Sequence, residues 1–253
     1  MINPAYTPAY PLAYSVPRYV QIAEGFVGQI ESGELAPGER LPPERELSER
    51  LGVNRMTLRR ALHVLELQGL LVRKHGIGTF IAEPKIDRPM DIVFRFTRGM
   101  QKRGYTPGAR LISIEQLSLG AAMARELEVP NASPATKILR LRSINQEPVM
   151  LESYTIPALR FPGLERYDLE NRSIYEVLET EYATTIVSAR QSFEPVLAND
   201  FDAGLLGVRI GAALMLEKRV SLDQNHCPVE YGKDRYRGDR FRFVTEASAP
   251  FDL

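Results

Sequence analysis

PPERELSERLGVNRMTLRRALHVLELQGLLVRKHGIGTFIA, residues 42–82, decides the reading of the N-terminal third of the chain. Pro43 suits the first position of a helix, where a missing N–H is harmless, and Leu47 and Leu51 then share a face one turn apart. Gly52 breaks that helix where a left-handed residue is wanted. Asn54 is a good N-cap for the next helix, whose Leu58, Ala61, Leu62 and Leu65 follow the 3.6-residue period. Gly69 closes it, and Leu70-Leu71-Val72 lead through a basic, glycine-tipped turn to Thr79-Phe80-Ile81. Two short helices around a tight turn, followed by such a strand pair, predict a winged helix-turn-helix, which reads DNA. Charge agrees with this. Over residues 54–76 the basic residues Arg55, Arg59, Arg60, Arg73 and Lys74 face Glu66 alone, although the whole chain balances 32 basic against 32 acidic residues. Positive charge gathered on one helix and a wing bears on phosphate contact more than the total does. The plainer alternative makes these arginines the solvated face of an amphipathic helix; the cap, turn and wing together favour the reader.

The same residues resemble a known family. From Leu41 to Leu70 the chain reads L-P-x-E-R-E-L-S-E-x-L-G-V-x-R-x-T-L-R-x-A-L-x-x-L-x-x-x-G-L, continuing into G-x-G-T-F at Gly76 to Phe80. This is similar to the DNA-binding domain of GntR-type bacterial regulators. The resemblance implies that Arg45, Asn54, Arg55, Thr57 and Arg59 contact operator bases or phosphates and that Gly76 enters the minor groove. Physical roles are compatible. Arg55 and Arg59 lie one turn apart on the second helix, and an arginine forked onto guanine is worth about 1–3 kcal/mol of base discrimination. Thr57 and the helix N-terminus suit phosphate, as do Arg73, Lys74 and His75 on the wing. Asn54 reads equally well as a cap alone.

A chain of 253 residues accommodates two domains. Apolar residues make up 44% and charged residues 25%, with no apolar run long enough to span a membrane. The first residues lack the basic start and apolar core of a signal peptide. One cysteine, Cys227, gives no internal disulfide framework. A cytoplasmic protein is expected. Residues 1–15, with regularly spaced tyrosines among prolines, read as an extended or flexible arm. A helix begins at Pro17, stops at Ser32-Gly33 and should pack under the reader, completing a domain over 16–82. Two prolines and four charges make 83–90 a linker. Residues 91–246 then form a second domain. Helices are expected over Ile92–Arg103, Gly120–Val129, Ser173–Glu181 and Asp200–Leu206. Strands are expected over Arg110–Leu117, Thr136–Asn145, Val149–Ile156, Ala183–Pro195, Ala212–Leu222 and Pro228–Tyr236, with a hairpin turn at Gln146-Glu147-Pro148. The fold class is α+β, with an antiparallel sheet.

L-R-L-R-x-x-x-x-E-P-V-x-x-E-x-Y-x-I-P (Leu139 to Pro157) and P-V-E-Y-x-x-x-x-Y-R-G-D-R-F-R-F (Pro228 to Phe243) resemble the UTRA effector-sensing domain. That domain marks the HutC branch of GntR regulators and has a chorismate-lyase-like fold. Arg140 and Arg142 sit two apart on a strand and share a face. Ser173 and Tyr175 stand at the start of a helix, whose N–H groups favour an anion. Two arginines with a hydroxyl and a helix N-terminus make a phosphate or carboxylate site, and Glu152, Glu230 and Tyr236 can read hydroxyls or amines beside it. The resemblance places Phe96, Thr97, Arg140, Arg142, Glu152, Ser173, Tyr175, Glu230 and Tyr236 around a phosphorylated amino sugar such as N-acetylglucosamine 6-phosphate or glucosamine 6-phosphate. The same shell suits a phosphonate, a dicarboxylate or another acid. Alternatively Arg140, Glu152 and Glu230 form a structural ion-pair network inside the sheet.

Three scattered histidines and one cysteine give no metal-ligand spacing, and no nucleotide or nucleophile-elbow signature is present. No cofactor and no metal are expected, and an enzyme is the remote alternative. The whole reads as a repressor that binds a palindromic operator as a homodimer and releases it when a small anion binds. On this reading Arg140→Ala should bind DNA and ignore the effector.

Overall fold

Periodic apolar residues build the N-terminal unit of the computed structural model, which describes residues 16–74, 76–93 and 95–247. Helix α1 (Arg18–Glu31) buries Ile22, Ala23 and Phe26. Helix α2 (Glu44–Arg50) contributes Leu47, and α3 (Arg55–Leu67) contributes Leu58, Ala61, Leu62 and Leu65. These side chains form one core with Leu41, Leu71 and Ile81, so α1 does pack under the helix-turn-helix. The Asn54 side chain accepts the Thr57 N–H at 2.8 Å, satisfying one of the donors orphaned at the start of α3. Gly52 turns the chain between α2 and α3 at φ +62°, where a side chain would be strained. Strands β1 (Leu71–Lys74) and β2 (Gly78–Ile81) pair antiparallel as the wing, with Lys74 opposite Gly78. The arm expected over 1–15 lies outside the described residues.

The chain divides into two compact units, Met1–Pro84 and Lys85–Leu253. The second is organised by a six-stranded antiparallel sheet in the order β4-β5-β6-β9-β8-β7. Its strands are β4 (Pro107–Ser118), β5 (Pro134–Ile144), β6 (Glu147–Pro157), β7 (Ile186–Leu197), β8 (Ala213–Asp223) and β9 (Pro228–Arg237). Successive side chains of a strand point to opposite faces. One face carries α6 (Ile174–Tyr182), packed on Ile138, Tyr154 and Val229. The other carries α5 (Ala121–Glu126) against Ala135 and α7 (Asp200–Leu206) against Leu141, Leu151 and Leu214.

Three expectations need correction. The helix expected over 92–103 is the shorter α4 (Phe96–Gln101); Ile92 is 54% exposed, so the apolar pattern that extended the helix back to it reflects no buried face. The hairpin between β5 and β6 turns on Asn145-Gln146, both at positive φ, rather than on Gln146-Glu147-Pro148. Paired left-handed residues match the twist of a two-residue hairpin, and Asn tolerates that conformation. Glu147 and Pro148 already belong to β6. Finally, the stretch expected to be a linker is not free chain. Residues Ile86–Pro89 form β3, which pairs in parallel with β10 (Phe241–Val244) and buries Ile86 and Arg88. Charge and proline content resemble those of a linker, but Arg88 is charged because it has a buried partner.

Candidate functional site

Two side-chain assemblies stand out, one in each unit. In the first, α3 and the wing present the expected basic residues, but a neighbour intervenes. Glu44, at the start of α2, accepts Arg59 Nε at 2.7 Å and Arg73 Nη2 at 3.2 Å, and Arg73 also meets Glu66 at 3.1 Å. Arg45 is exposed and only loosely paired with Glu49 at 4.0 Å. Arg55, the first residue of α3, is exposed and has no ion pair among the described residues. Arg60 lies 4.1 Å from the Tyr19 ring, a cation–π contact within the domain. Thr57 is half-buried, and its backbone N–H is committed to Asn54, so Asn54 acts as a cap. Gly76 sits at the wing tip with φ +71°. The Lys74 side chain and His75 lie outside the described residues.

The sequence reading passed over Met56 and Ile77, which are 72% and 56% exposed beside Arg55 and Gly76. Apolar atoms there suit a thymine methyl and a groove floor. Because Glu44 holds two arginines back, Glu44→Gln is expected to tighten binding to duplex DNA and to steepen its salt dependence by roughly one to two released counterions. Anisotropy titrations at several salt concentrations measure both. An unchanged slope would mean that the arginines reach phosphate regardless of Glu44.

In the second unit, sheet register collects the expected effector residues on the face under α4 and α6. Arg140 stands opposite Glu152 across β5 and β6. Its Nε and Nη2 donate to Glu152 Oε2 at 2.9 and 2.5 Å, while Nη1 donates to the carbonyls of Leu169 and Arg172, in the chain leading to α6. Arg142 reaches the same carboxylate oxygen at 3.2 Å, donates to Thr97 Oγ1 at 2.8 Å, and lies 4.4 Å from the Phe96 ring. Ser173 is the N-cap residue of α6, half-buried and making no side-chain cap bond. Tyr175 donates to Glu230 Oε1 at 3.0 Å, and Tyr236 to Glu217 Oε2 at 2.8 Å. Phe96, Arg140, Arg142, Glu152, Tyr175, Glu230 and Tyr236 are all buried.

Among these lies a set that the sequence reading missed. Arg219 on β8 donates to Glu230 at 2.9 Å, meets Glu217 at 3.8 Å and is also paired with Asp234. Gly232, directly opposite Arg219, makes this possible: a Cβ there would lie 2.6 Å from the guanidinium carbon. Arg88, from β3, donates to Glu217 at 2.6 Å inside a cage of Phe193, Tyr236 and Phe243. The alternation Glu217-Arg219-Ser221 on one strand and Glu230-Gly232-Asp234-Tyr236 on the next was the available signal. Charged and hydroxyl side chains recur at every second position along both stretches, Gly232 apart, on a face that is buried.

At Glu152 and Asp234 burial works against the charged carboxylate, and the neighbours decide the outcome. Arg140 and Arg142, aided by the Tyr154 hydroxyl, overcome burial at Glu152 and hold it at about 2. Burial lifts Asp234; Arg219 pulls it down, but nearby Glu152 and Glu217 push it up again, to about 7. The upward direction follows from one guanidinium, Arg219, being shared among three carboxylates. An unfolded Asp ionises near 3.8, so from there to about pH 7 the folded state holds the extra proton. Stability therefore falls as pH rises through that window. Above about pH 5 Glu152 adds almost nothing to this slope, since it is then ionised in both states. Denaturant unfolding from pH 5 to 8 should show the decline in the wild type and lose most of it in Asp234→Asn. A slope identical in both would assign it to another group.

Comparison with known proteins finds a family model for each of the two units. Residues 18–81 match the model for bacterial regulatory proteins of the gntR family, and residues 102–242 match that for the UTRA domain. The HTH-type transcriptional repressor NagR of Bacillus subtilis (strain 168) is 39% identical over 229 residues, covering 90% of this chain and 94% of the relative. The histidine utilization repressor of Pseudomonas aeruginosa is 31% identical and covers 80% of each chain. The crystal structure of PhnF from Mycobacterium smegmatis superposes with a TM-score of 0.64 at 28% identity, over 92% of this chain and all of that one. A reader and an effector-type domain, each matched to its own family model, place this chain in the gntR family of bacterial regulatory proteins, in the HutC branch that carries a UTRA domain.

Proposed function

We propose that this regulator is a homodimeric repressor whose hold on a palindromic operator is released by a small phosphorylated ligand, with a phosphorylated amino sugar as the first candidate. The observation that carries this is the convergence of Arg140 and Arg142 with Thr97 at one end of the effector face and Glu230 with Tyr236 farther along it. Paired guanidiniums suit a phosphate, and carboxylates beside them suit sugar hydroxyls or an amine. Relatives named as repressors, NagR among them, support the sign of regulation.

The structural alternative for Arg140 and Glu152 is realised at the same time: they are an ion pair, and buried. A ligand phosphate would have to take arginine donors now held by Glu152 and by the Leu169 and Arg172 carbonyls. Binding of that kind rearranges the segment leading to α6. A ligand that binds the rearranged face more tightly shifts the population towards it, and operator affinity falls by the same coupling. Strand β3 is the natural outlet, because Arg88 enters the effector face only four residues after Pro84 and shares Glu217 with Tyr236.

The test is release of labelled operator DNA, selected by the protein from a random library, on adding N-acetylglucosamine 6-phosphate or glucosamine 6-phosphate. Release by a phosphosugar and none by the unphosphorylated sugar is expected. Retention of DNA against both phosphosugars would reject the amino-sugar reading and move the search to phosphonates and carboxylates.

A further inference from the structure

Formal charge on the effector face is balanced in total but not in place. Around Arg140 and Arg142 there is one carboxylate, Glu152, which leaves this end with one excess positive charge. Around Arg219 and Arg88 there are three, Glu217, Glu230 and Asp234, which leaves that end with one excess negative charge when all three are ionised. Tyr154 marks the division, with the Arg140 and Arg219 guanidinium carbons 5.8 and 5.1 Å from its ring centre.

A second observation lies at the acidic end. Glu230 is wholly buried, and its Oε1 takes every bond: from Arg219 Nε at 2.9 Å, Tyr175 at 3.0 Å and Ser221 at 2.6 Å. Its Oε2 is buried too and has no hydrogen-bond partner among the described residues. A buried carboxylate oxygen without a donor is costly, and such atoms call for a missing partner.

We propose that the effector face selects a zwitterion: a phosphate or phosphonate taken by Arg140 and Arg142, joined to a primary ammonium received by the Glu217–Glu230–Asp234 end, with Glu230 Oε2 as an acceptor. This rests on the effector reading given above and narrows it to ligands bearing a free amine. An ammonium supplies both the missing donor and the missing charge. An acetylated amine supplies one N–H and no charge, and a hydroxyl supplies a donor alone. The raised Asp234 fits, since an arriving cation lets that carboxyl give up its proton.

Isothermal titration of the full-length chain tests this with glucosamine 6-phosphate, N-acetylglucosamine 6-phosphate and glucose 6-phosphate, and with 2-aminoethylphosphonate against ethylphosphonate. The amine-bearing member is expected to bind about 10- to 100-fold more tightly, the worth of a charge-assisted bond at a buried site. Glu230→Gln and Asp234→Asn should each shrink that preference, read within each variant as the ratio of amine-bearing to amine-free affinities; the second variant guards against misfolding of the first, with a melting curve for each. Equal affinities within a set, or an undiminished preference in folded forms of both variants, would overturn the inference and leave the phosphosugar reading standing. Binding of the aminophosphonate but of no sugar phosphate would uphold the inference and reject the amino-sugar reading. Binding of none of the five would overturn both.

Discussion

Arg140→Ala is expected to destabilise the second unit by about 3–5 kcal/mol, the usual consequence of removing one partner of a buried ion pair. The side chain is 1% exposed and occupies the middle of the assembly. Without it Glu152 keeps Arg142 at 3.2 Å and the Tyr154 hydroxyl at 2.7 Å, and the carbonyls of Leu169 and Arg172 lose a shared donor. Burial would then push Glu152 upwards with less to oppose it, so the stability that the wild type loses at this carboxyl on acidification should be smaller in the variant. Urea unfolding followed by a probe in the second unit measures the loss, and a change below about 1 kcal/mol would show that Arg142 alone suffices. The expectation from sequence, a chain that binds DNA and ignores its effector, is therefore joined by an expected loss of stability at this residue. Arg140 is a structural member of the face that would bind the ligand, and loss of response in Arg140→Ala would not separate the two roles.

The difference between what sequence discloses and what it hides follows from the range of each interaction. Leu58, Ala61, Leu62 and Leu65 announce α3 because helix period and burial act on the same few residues. Arg140 and Arg142 are legible as neighbours because a strand has period two. Their captor is less so: that Glu152 lies directly opposite Arg140 depends on cross-strand register, and the register shifts at Arg142/Ser143. Arg219 is harder still. Its place is fixed by Gly232 on the next strand, by Tyr175 from a helix and by Asp234, none of them near it in sequence. Arg88 was hidden by its context, since proline and charge around it resemble solvated chain, whereas its partner Glu217 lies 129 residues away. The reader shows the same limit. A charge count over residues 54–76 sees five basic groups and one acid, but Glu44 lies outside that window and pairs with two of them.

That last point decides which arginine should matter most to DNA. Arg55→Ala is expected to weaken operator binding by about 1–3 kcal/mol per half-site, roughly 5- to 150-fold, and by up to twice that free energy for a dimer on a palindrome. Arg55 opens α3 beside the exposed Met56 and has no intramolecular ion pair among the described residues, so its whole binding contribution is lost on truncation. Arg59 must first leave Glu44, which offsets part of what it gains on DNA, and Arg59→Ala should therefore weaken binding less. Fold stability should hardly change in Arg55→Ala, since the side chain is exposed and the cap of α3 belongs to Asn54. Salt dependence separates the possible contacts: loss of a guanine contact weakens binding at every salt concentration with the slope unchanged, whereas loss of a phosphate contact lowers the slope by about one. Titrations of the selected operator and of a scrambled duplex from low to physiological salt give both quantities. Wild-type affinity and slope in the variant would remove α3 from the base-reading position, and an equal loss on both duplexes would make Arg55 a phosphate contact.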